Sequence, residues 1–282
     1  MNSAIAVSVQ PSLGVTCDDI QSMSYPDFVG FVNQWNVLPG AYVTINKWAI
    51  FGAMTRDSSV LQVACTTGFQ SRELSGLTGC RVRAFDISSV AIEMARYNLA
   101  RYATNANVEY ECADCYTFTT EERFTHLMVG AGLRFLPDPI KALGRCITFL
   151  APKAYILASP FWVTAPVPVK IISKAQSIFG ITPTIEGYKT VMRLFKDFEI
   201  FYEDKNIPVQ ESETELEEYC SATIERACRI RQIADLSVRK VMYRRLLAIR
   251  RMSNELRPYQ AYSTLVLRYR QETYPARYVE LF

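Results

Sequence analysis

The chain has 282 residues, 49% of them hydrophobic and 21% charged, with a formal net charge of +3. These are ordinary globular values; they allow one large α/β domain, or a domain with a lid, and the charge is too small to name a partner. No run of about 18 apolar residues occurs, and the N-terminus lacks the basic start and long apolar stretch of a secretory signal, so neither a membrane span nor an export signal is expected. The eight cysteines are scattered, and Cys112 and Cys115 alone have CxxC spacing. With a single histidine, His126, this points to reduced thiols in a cytoplasmic protein and no metal site.

Residues 1–20 read as flexible. Phe28, Phe31, Val32 and Trp35 then recur at helical spacing until Pro39-Gly40 breaks the pattern, and Tyr42–Phe51 reads as a second helix. Residues 1–57 thus form an N-terminal helical cap. Strands and helices alternate from there. Val60–Ala64, Val82–Phe85, Val108–Cys112, Thr125–Val129 and Ala154–Ala158 read as strands, with helices starting near Ser71, Ser89 and Pro139 between them. Such alternation gives a mostly parallel, Rossmann-like sheet with helices on both faces, and ligands bind at the carboxyl ends of its strands. After Pro160 the order changes. Val169–Phe179 and Tyr188–Phe195 look helical, Phe198–Tyr202 is a sixth strand, and residues 212–258 read as a helical insertion of two helices with a capping box at Ser212 or Thr214. Tyr262–Tyr269 alternates as a seventh strand that can pair antiparallel with the sixth. Residues 58–282 are therefore expected to form one domain with the insertion as a lid.

Four strand ends carry the chemistry. The first is the turn Ala64-Cys65-Thr66-Thr67-Gly68 inside VLQVACTTGFQSREL. The second is Asp86, which ends a strand 18 residues after Gly68, where a carboxylate can accept both hydroxyls of a ribose. Asp86 before Ile-Ser-Ser also suits a plain helix cap. The third is Asp114, placed to accept from an exocyclic amine, and the fourth is Gly130-Ala131-Gly132, whose small residues leave room at the mouth of the sheet.

On these stretches, and on VRAFDISSVAIEMARYN, VEYECADCYTF and FTHLMVGAGLRFLPDPIKAL, the chain resembles the class I S-adenosylmethionine-dependent methyltransferases over roughly residues 58–160. The family typically has an acid where Gln62 stands and glycines where Ala64 and Thr66 stand. The resemblance implies that S-adenosylmethionine is the cofactor. It implies that Cys65, Thr66 and Gly68 offer backbone to its methionyl and ribose parts, that Asp86 holds the ribose and Ile87 packs on adenine. It further implies that Asp114, beside Cys115, meets the adenine amine and that Gly130 lines the sulfonium region. Methyl transfer needs alignment and exclusion of water more than a base. His126, in an apolar strand, reads as a core residue.

A small organic acceptor in a closed pocket is the favoured substrate class, with Trp35, Asn36, Tyr42, Arg134 and Phe161 as candidate contacts and a monomer or homodimer as the assembly. Two alternatives stand beside it. The irregular turn at Ala64–Thr66 leaves open chemistry on the aminocarboxypropyl arm of the same cofactor, by azetidine ring closure or transfer of the arm. The ten Lys/Arg between Arg226 and Arg257, against two acids, form a stripe that could bind nucleic acid. The place after the fourth strand reads GAGLRF rather than Asp/Asn-Pro-Pro-aromatic, and no Pro-Cys dipeptide exists, so nucleic acid is the less favoured partner.

Overall fold

A computed structural model describes residues 9, 11–35 and 38–275. The continuous apolar run Val60, Leu61 and Val63 forms β1 (Ser59–Val63) at the centre of the sheet, buried on both faces. It pairs in parallel with β2 (Arg81–Asp86) and β4 (Phe124–Gly130). Outside them lie β3 (Asn107–Cys112), parallel to β2, and β5 (Leu150–Ala158), parallel to β4. The expected final strand is β8 (Gln260–Arg270), antiparallel to β5 on one side and to β7 (Glu199–Asn206) on the other. The two late strands therefore pair antiparallel, as expected. A three-residue strand, β6 (Phe161–Val163), continues the line of β5 along β8; it makes the sheet eight-stranded and is too short to show periodicity.

Helices cover both faces. On one, α3 (Ala41–Phe51), α4 (Phe69–Thr78) and α5 (Ser89–Tyr102) bury Trp48, Phe69, Leu74 and Ile92 against Val60, Val82 and Met128. On the other, α6 (Pro139–Ile147) buries Leu143, Cys146 and Ile147 against Leu61, Leu127 and Ile156. Burial of these alternating sets is the main stabilising term.

Two expectations for the N-terminal region need correction. Flexibility was expected through residue 20, yet α1 (Cys17–Ser22) is helical, because Thr16 and Asp19 form a capping box. The helix read through Trp35 ends earlier: α2 spans Tyr25–Phe31, and Asn33 takes a left-handed φ of 52°. The insertion folds as α9 (Glu213–Arg231) and α10 (Leu236–Leu256), with Ser212 as the capping-box residue through Glu215. It does not stand apart from the cap. Ile20, Phe28, Phe31 and Val32 share one core with Leu216, Ile224, Met242 and Leu246, so two segments separated by some 180 residues of sequence make one helical layer. The segment between β6 and β7 holds α7 (Val169–Phe179) and α8 (Tyr188–Met192), and α7 packs on α10 through Ala175 and Met252.

Candidate functional site

The turn after β1 carries the site's backbone. Ala64, Thr66 and Gly68 alternate in the left-handed region, at φ of 53°, 48° and 77°. Glycine adopts this shape freely; each non-glycine residue there costs about 1–2 kcal/mol. The strand-turn-helix thus has the backbone of a glycine-rich loop although two of its three left-handed residues carry a Cβ. Gly68 has no substitute: a Cβ there would stand 2.3 Å from the Tyr110 hydroxyl, which donates to the Gly68 carbonyl at 3.0 Å.

The left-handed Thr66 aims its amide at β2. That N–H donates to Asp86 Oδ2 at 2.9 Å, while the Ser88 amide donates to Asp86 Oδ1 at 3.0 Å. Both oxygens of this buried carboxylate are held, and each keeps a lone pair for a further donor. Burial raises the pKa of Asp86, and the amide bonds of Ser88 and Thr66 oppose it. The alternative role of helix cap belongs to Ser88, whose hydroxyl accepts from Ala91 at 3.1 Å. The same hydroxyl donates to Asp27 of α2 at 2.6 Å, so the cap is fastened beside the acid.

Ile87 follows Asp86 at the strand mouth with 67% of its surface exposed. Asp114 lies after β3 and accepts the Tyr116 amide on Oδ1 at 2.9 Å, a turn role that leaves Oδ2 for another donor. Cys115 points elsewhere. Its thiol is buried, 3.6 Å from Cys146 Sγ, so it can meet a ligand through backbone alone. The same limit applies to Cys65: its side chain is buried, its amide donates to Phe85 O at 3.1 Å and its carbonyl accepts from Gly68 at 2.9 Å.

Gly130 ends β4 at a φ of 52°, with Gln70 beneath it; a Cβ would lie 3.0 Å from Gln70 Oε1. Gln70 Oε1 accepts from Gln62 Nε2 at 3.0 Å. Gln62 is fully buried, and its Oε1 has no hydrogen-bond partner. An uncharged amide pair thus supports the loop where the resembling family has an acid. No group of three or more His, Cys, Asp or Glu among the described residues is placed to hold a metal ion. His126 is buried between Thr125 Oγ1 and the Gly52 carbonyl, far down the strand from the mouth, which accords with a core role.

The candidate substrate residues separate into two groups. Trp35 is taken up by packing: the guanidinium carbons of Arg72 and Arg226 lie 5.3 and 5.0 Å from its ring and Tyr102 meets it edge-on at 4.8 Å. Its exposure to a substrate is correspondingly reduced. Asn36 lies outside the described residues. Tyr42 is 55% exposed with its ring edge on Phe69, and Phe161 is paired across from Tyr262 on β8. Arg134 follows the Gly130–Gly132 mouth and is ion-paired with Glu186, which fixes the segment before α8 to the end of β4.

The sequence did not expose the polar clasp around the turn. Asn33 and Asn98 exchange amide bonds at 3.0 and 2.8 Å, Asn98 and Arg72 both donate to Thr67 O, and Thr67 Oγ1 donates to Gln34 O at 2.7 Å. Arg226 of α9 donates to Asn33 O at 3.0 Å. Part of the basic stripe is likewise turned inward, while Arg229, Lys240, Arg244 and Arg251 stay exposed. Arg231 donates to Phe31 O and pairs with Glu93, Arg245 donates to Ile20 O and Met23 O, and Arg250 and Arg257 share Glu211. Arg229 and Arg251 pair with Glu225 and with Glu213 and Glu217.

Comparison with known proteins agrees with this architecture. The methyltransferase domain family matches residues 60–153. No curated protein sequence matches the chain. Among solved structures, the MccD protein is 25% identical with a TM-score of 0.67, over 83% of this chain and 100% of its own. Phosphoethanolamine N-methyltransferase 2 of Haemonchus contortus, bound to phosphomonomethylethanolamine and S-adenosylhomocysteine, is 16% identical with a TM-score of 0.64, over 92% of this chain and 61% of its own. A methyltransferase of Geobacter sulfurreducens in complex with S-adenosylhomocysteine is 12% identical with a TM-score of 0.62, over 86% of this chain and 98% of its own.

Proposed function

We propose that this chain, which belongs to the class I S-adenosylmethionine-dependent methyltransferases, methylates a small organic acceptor in a pocket closed by its helical layer. The observation that carries the reading is Asp86, held at a strand end by two backbone amides and flanked by the exposed Ile87. When bound, S-adenosylmethionine supplies a methyl carbon made electrophilic by the neighbouring positive sulfur. Asp86 would accept the ribose hydroxyls, Ile87 would cover one face of the adenine, and Asp114 Oδ2 would accept from its amine. Gly130 leaves the mouth of β4 open for the reactive end. Tyr42, Phe161 and the Arg134–Glu186 pair would border the acceptor side. Alignment of nucleophile and methyl, with water kept out by the cap and insertion, is the work asked of these residues.

A small acceptor is also favoured because Arg226, Arg231, Arg245 and Arg250 of the basic stripe are bonded to carbonyls and acids rather than offered to phosphates. A second reading, reaction within the aminocarboxypropyl arm, is supported by the neutral Gln62–Gln70 pair beneath the turn, which brings no carboxylate to hold the arm's amine in its charged form. Incubation with S-adenosylmethionine, with and without a small-molecule extract and against a protein-free control, tests both. S-adenosylhomocysteine formed only with extract supports methyl transfer. Methylthioadenosine formed by the protein alone supports the second reading. No turnover together with no binding of S-adenosylhomocysteine would overturn the proposal.

A further inference from the structure

Thr66 is the least expected residue of the turn. A β-branched side chain at a φ of 48° is disfavoured by crowding of its own backbone, and a glycine at this point would remove the strain. Strain of this kind persists where the surrounding structure enforces it, and it concentrates at ligand-binding segments. Here the enforcing contact is the bond from the Thr66 amide to Asp86. That bond accounts for the backbone conformation. It does not account for the side chain, since glycine carries the same amide. Thr66 is partly exposed, whereas its neighbours Cys65 and Thr67 are buried. The Thr67 hydroxyl is engaged with Gln34 O, and that of Ser71 with Gly68 O and Tyr110. The Thr66 hydroxyl has no hydrogen bond to any described residue. A strained, partly exposed position in the turn thus carries a hydroxyl without a protein partner among the described residues, above the neutral Gln62–Gln70 pair.

We infer that the Thr66 hydroxyl is a specificity-determining contact for the charged amino-acid end of the cofactor. It provides by side chain what the neutral Gln62, sealed below the turn, does not provide by charge. This rests on the proposed cofactor site, and the test separates the two. Binding of S-adenosylhomocysteine and of 5′-methylthioadenosine, which lacks the amino-acid arm, is measured by calorimetry for the wild type, Thr66→Val and Thr66→Gly. Valine keeps the shape and branching; glycine keeps the backbone conformation without strain. Both variants should bind S-adenosylhomocysteine about 10-fold more weakly, the worth of one hydrogen bond to a charged group. Both should bind 5′-methylthioadenosine within about 2-fold of wild type, since that ligand does not reach the hydroxyl. Unchanged S-adenosylhomocysteine affinity in either variant would overturn the inference, as would an equal loss for both ligands, which marks a displaced loop. A wild type that binds neither ligand would overturn the cofactor site itself.

Discussion

Replacing Asp86 with asparagine changes one atom at the point on which the site depends. Each carboxylate oxygen accepts a backbone amide, from Thr66 at 2.9 Å and from Ser88 at 3.0 Å. In Asp86→Asn one of those amides must face an N–H₂ group, and a buried donor left without an acceptor costs about 1–3 kcal/mol. The melting temperature of the ligand-free protein should fall by several degrees, about 2–4 °C for each kcal/mol in a chain of this size class. Binding suffers separately. A hydroxyl bonded to a carboxylate contributes about 1.5–3 kcal/mol, so losing the charge should weaken S-adenosylhomocysteine by about 10- to 100-fold. Asp86→Ala removes both acceptors and should do more on both counts. Scanning fluorimetry and calorimetry with S-adenosylhomocysteine read the two effects independently. An affinity within about 3-fold of wild type in both variants would refute the assignment of Asp86 as the ribose acid, even if both variants melted early.

Gly130→Ala should lower both stability and cofactor affinity, because its Cβ would lie 3.0 Å from Gln70 Oε1 at a left-handed φ; a fall of about 1–2 kcal/mol in denaturant unfolding is expected. Arg231→Ala should destabilise by about 2–3 kcal/mol, since Arg231 is buried and joins Phe31 O to Glu93 across three helices; wild-type stability in urea would show that the helical layer does not depend on it. Burial lowers the pKa of His126 below its ordinary 6.5, so its stabilising contribution is full above that value and is lost as pH falls through it toward the folded pKa. His126→Gln should therefore flatten the melting-temperature profile between about pH 7.5 and 5.5, where one such group can change stability by at most about 1.4 kcal/mol per pH unit; parallel profiles for the two proteins would assign the loss to other groups. Gel-shift titration with RNA and DNA at low salt should show no salt-sensitive complex, and a steep salt dependence would reverse the reading of the basic stripe.

What was legible in the sequence follows physical lines. Apolar runs bounded by turn residues located β1 and β4, because burial on both faces leaves few other residue types possible, whereas β8 shows itself by alternation. Asp86 stands out by its spacing from the turn and Asp114 by its place after the third strand, and the structure puts both at strand ends. The conformation of that turn was not legible. Glycine announces a left-handed residue, but Ala64 and Thr66 do not, and their φ values follow from the bond to Asp86 and the packing against Gly132, where a Cβ would stand 3.2 Å from that of Ala64. Direction was also hidden. Counting cations between Arg226 and Arg257 gives a charge, not the side to which each guanidinium turns. Trp35 was placed on a helix by its spacing from Phe31, whereas the left-handed Asn33 had already ended the helix and set the ring among arginines.

The same clasp joins parts of the molecule that sequence treats as separate. Thr67 belongs to the turn, Gln34 and Asn33 to the segment after α2, Asn98 to α5 and Arg226 to α9, yet they form one connected set of hydrogen bonds. Asn33 and Asn98 are fully buried, so breaking their exchange would leave up to two donors and two acceptors without water. The turn therefore cannot change its backbone without disturbing α5, the cap and the insertion together. Two non-glycine residues at positive φ need about 2–4 kcal/mol of support, and the bonds from Thr66 to Asp86 and around Thr67 are where the structure provides it.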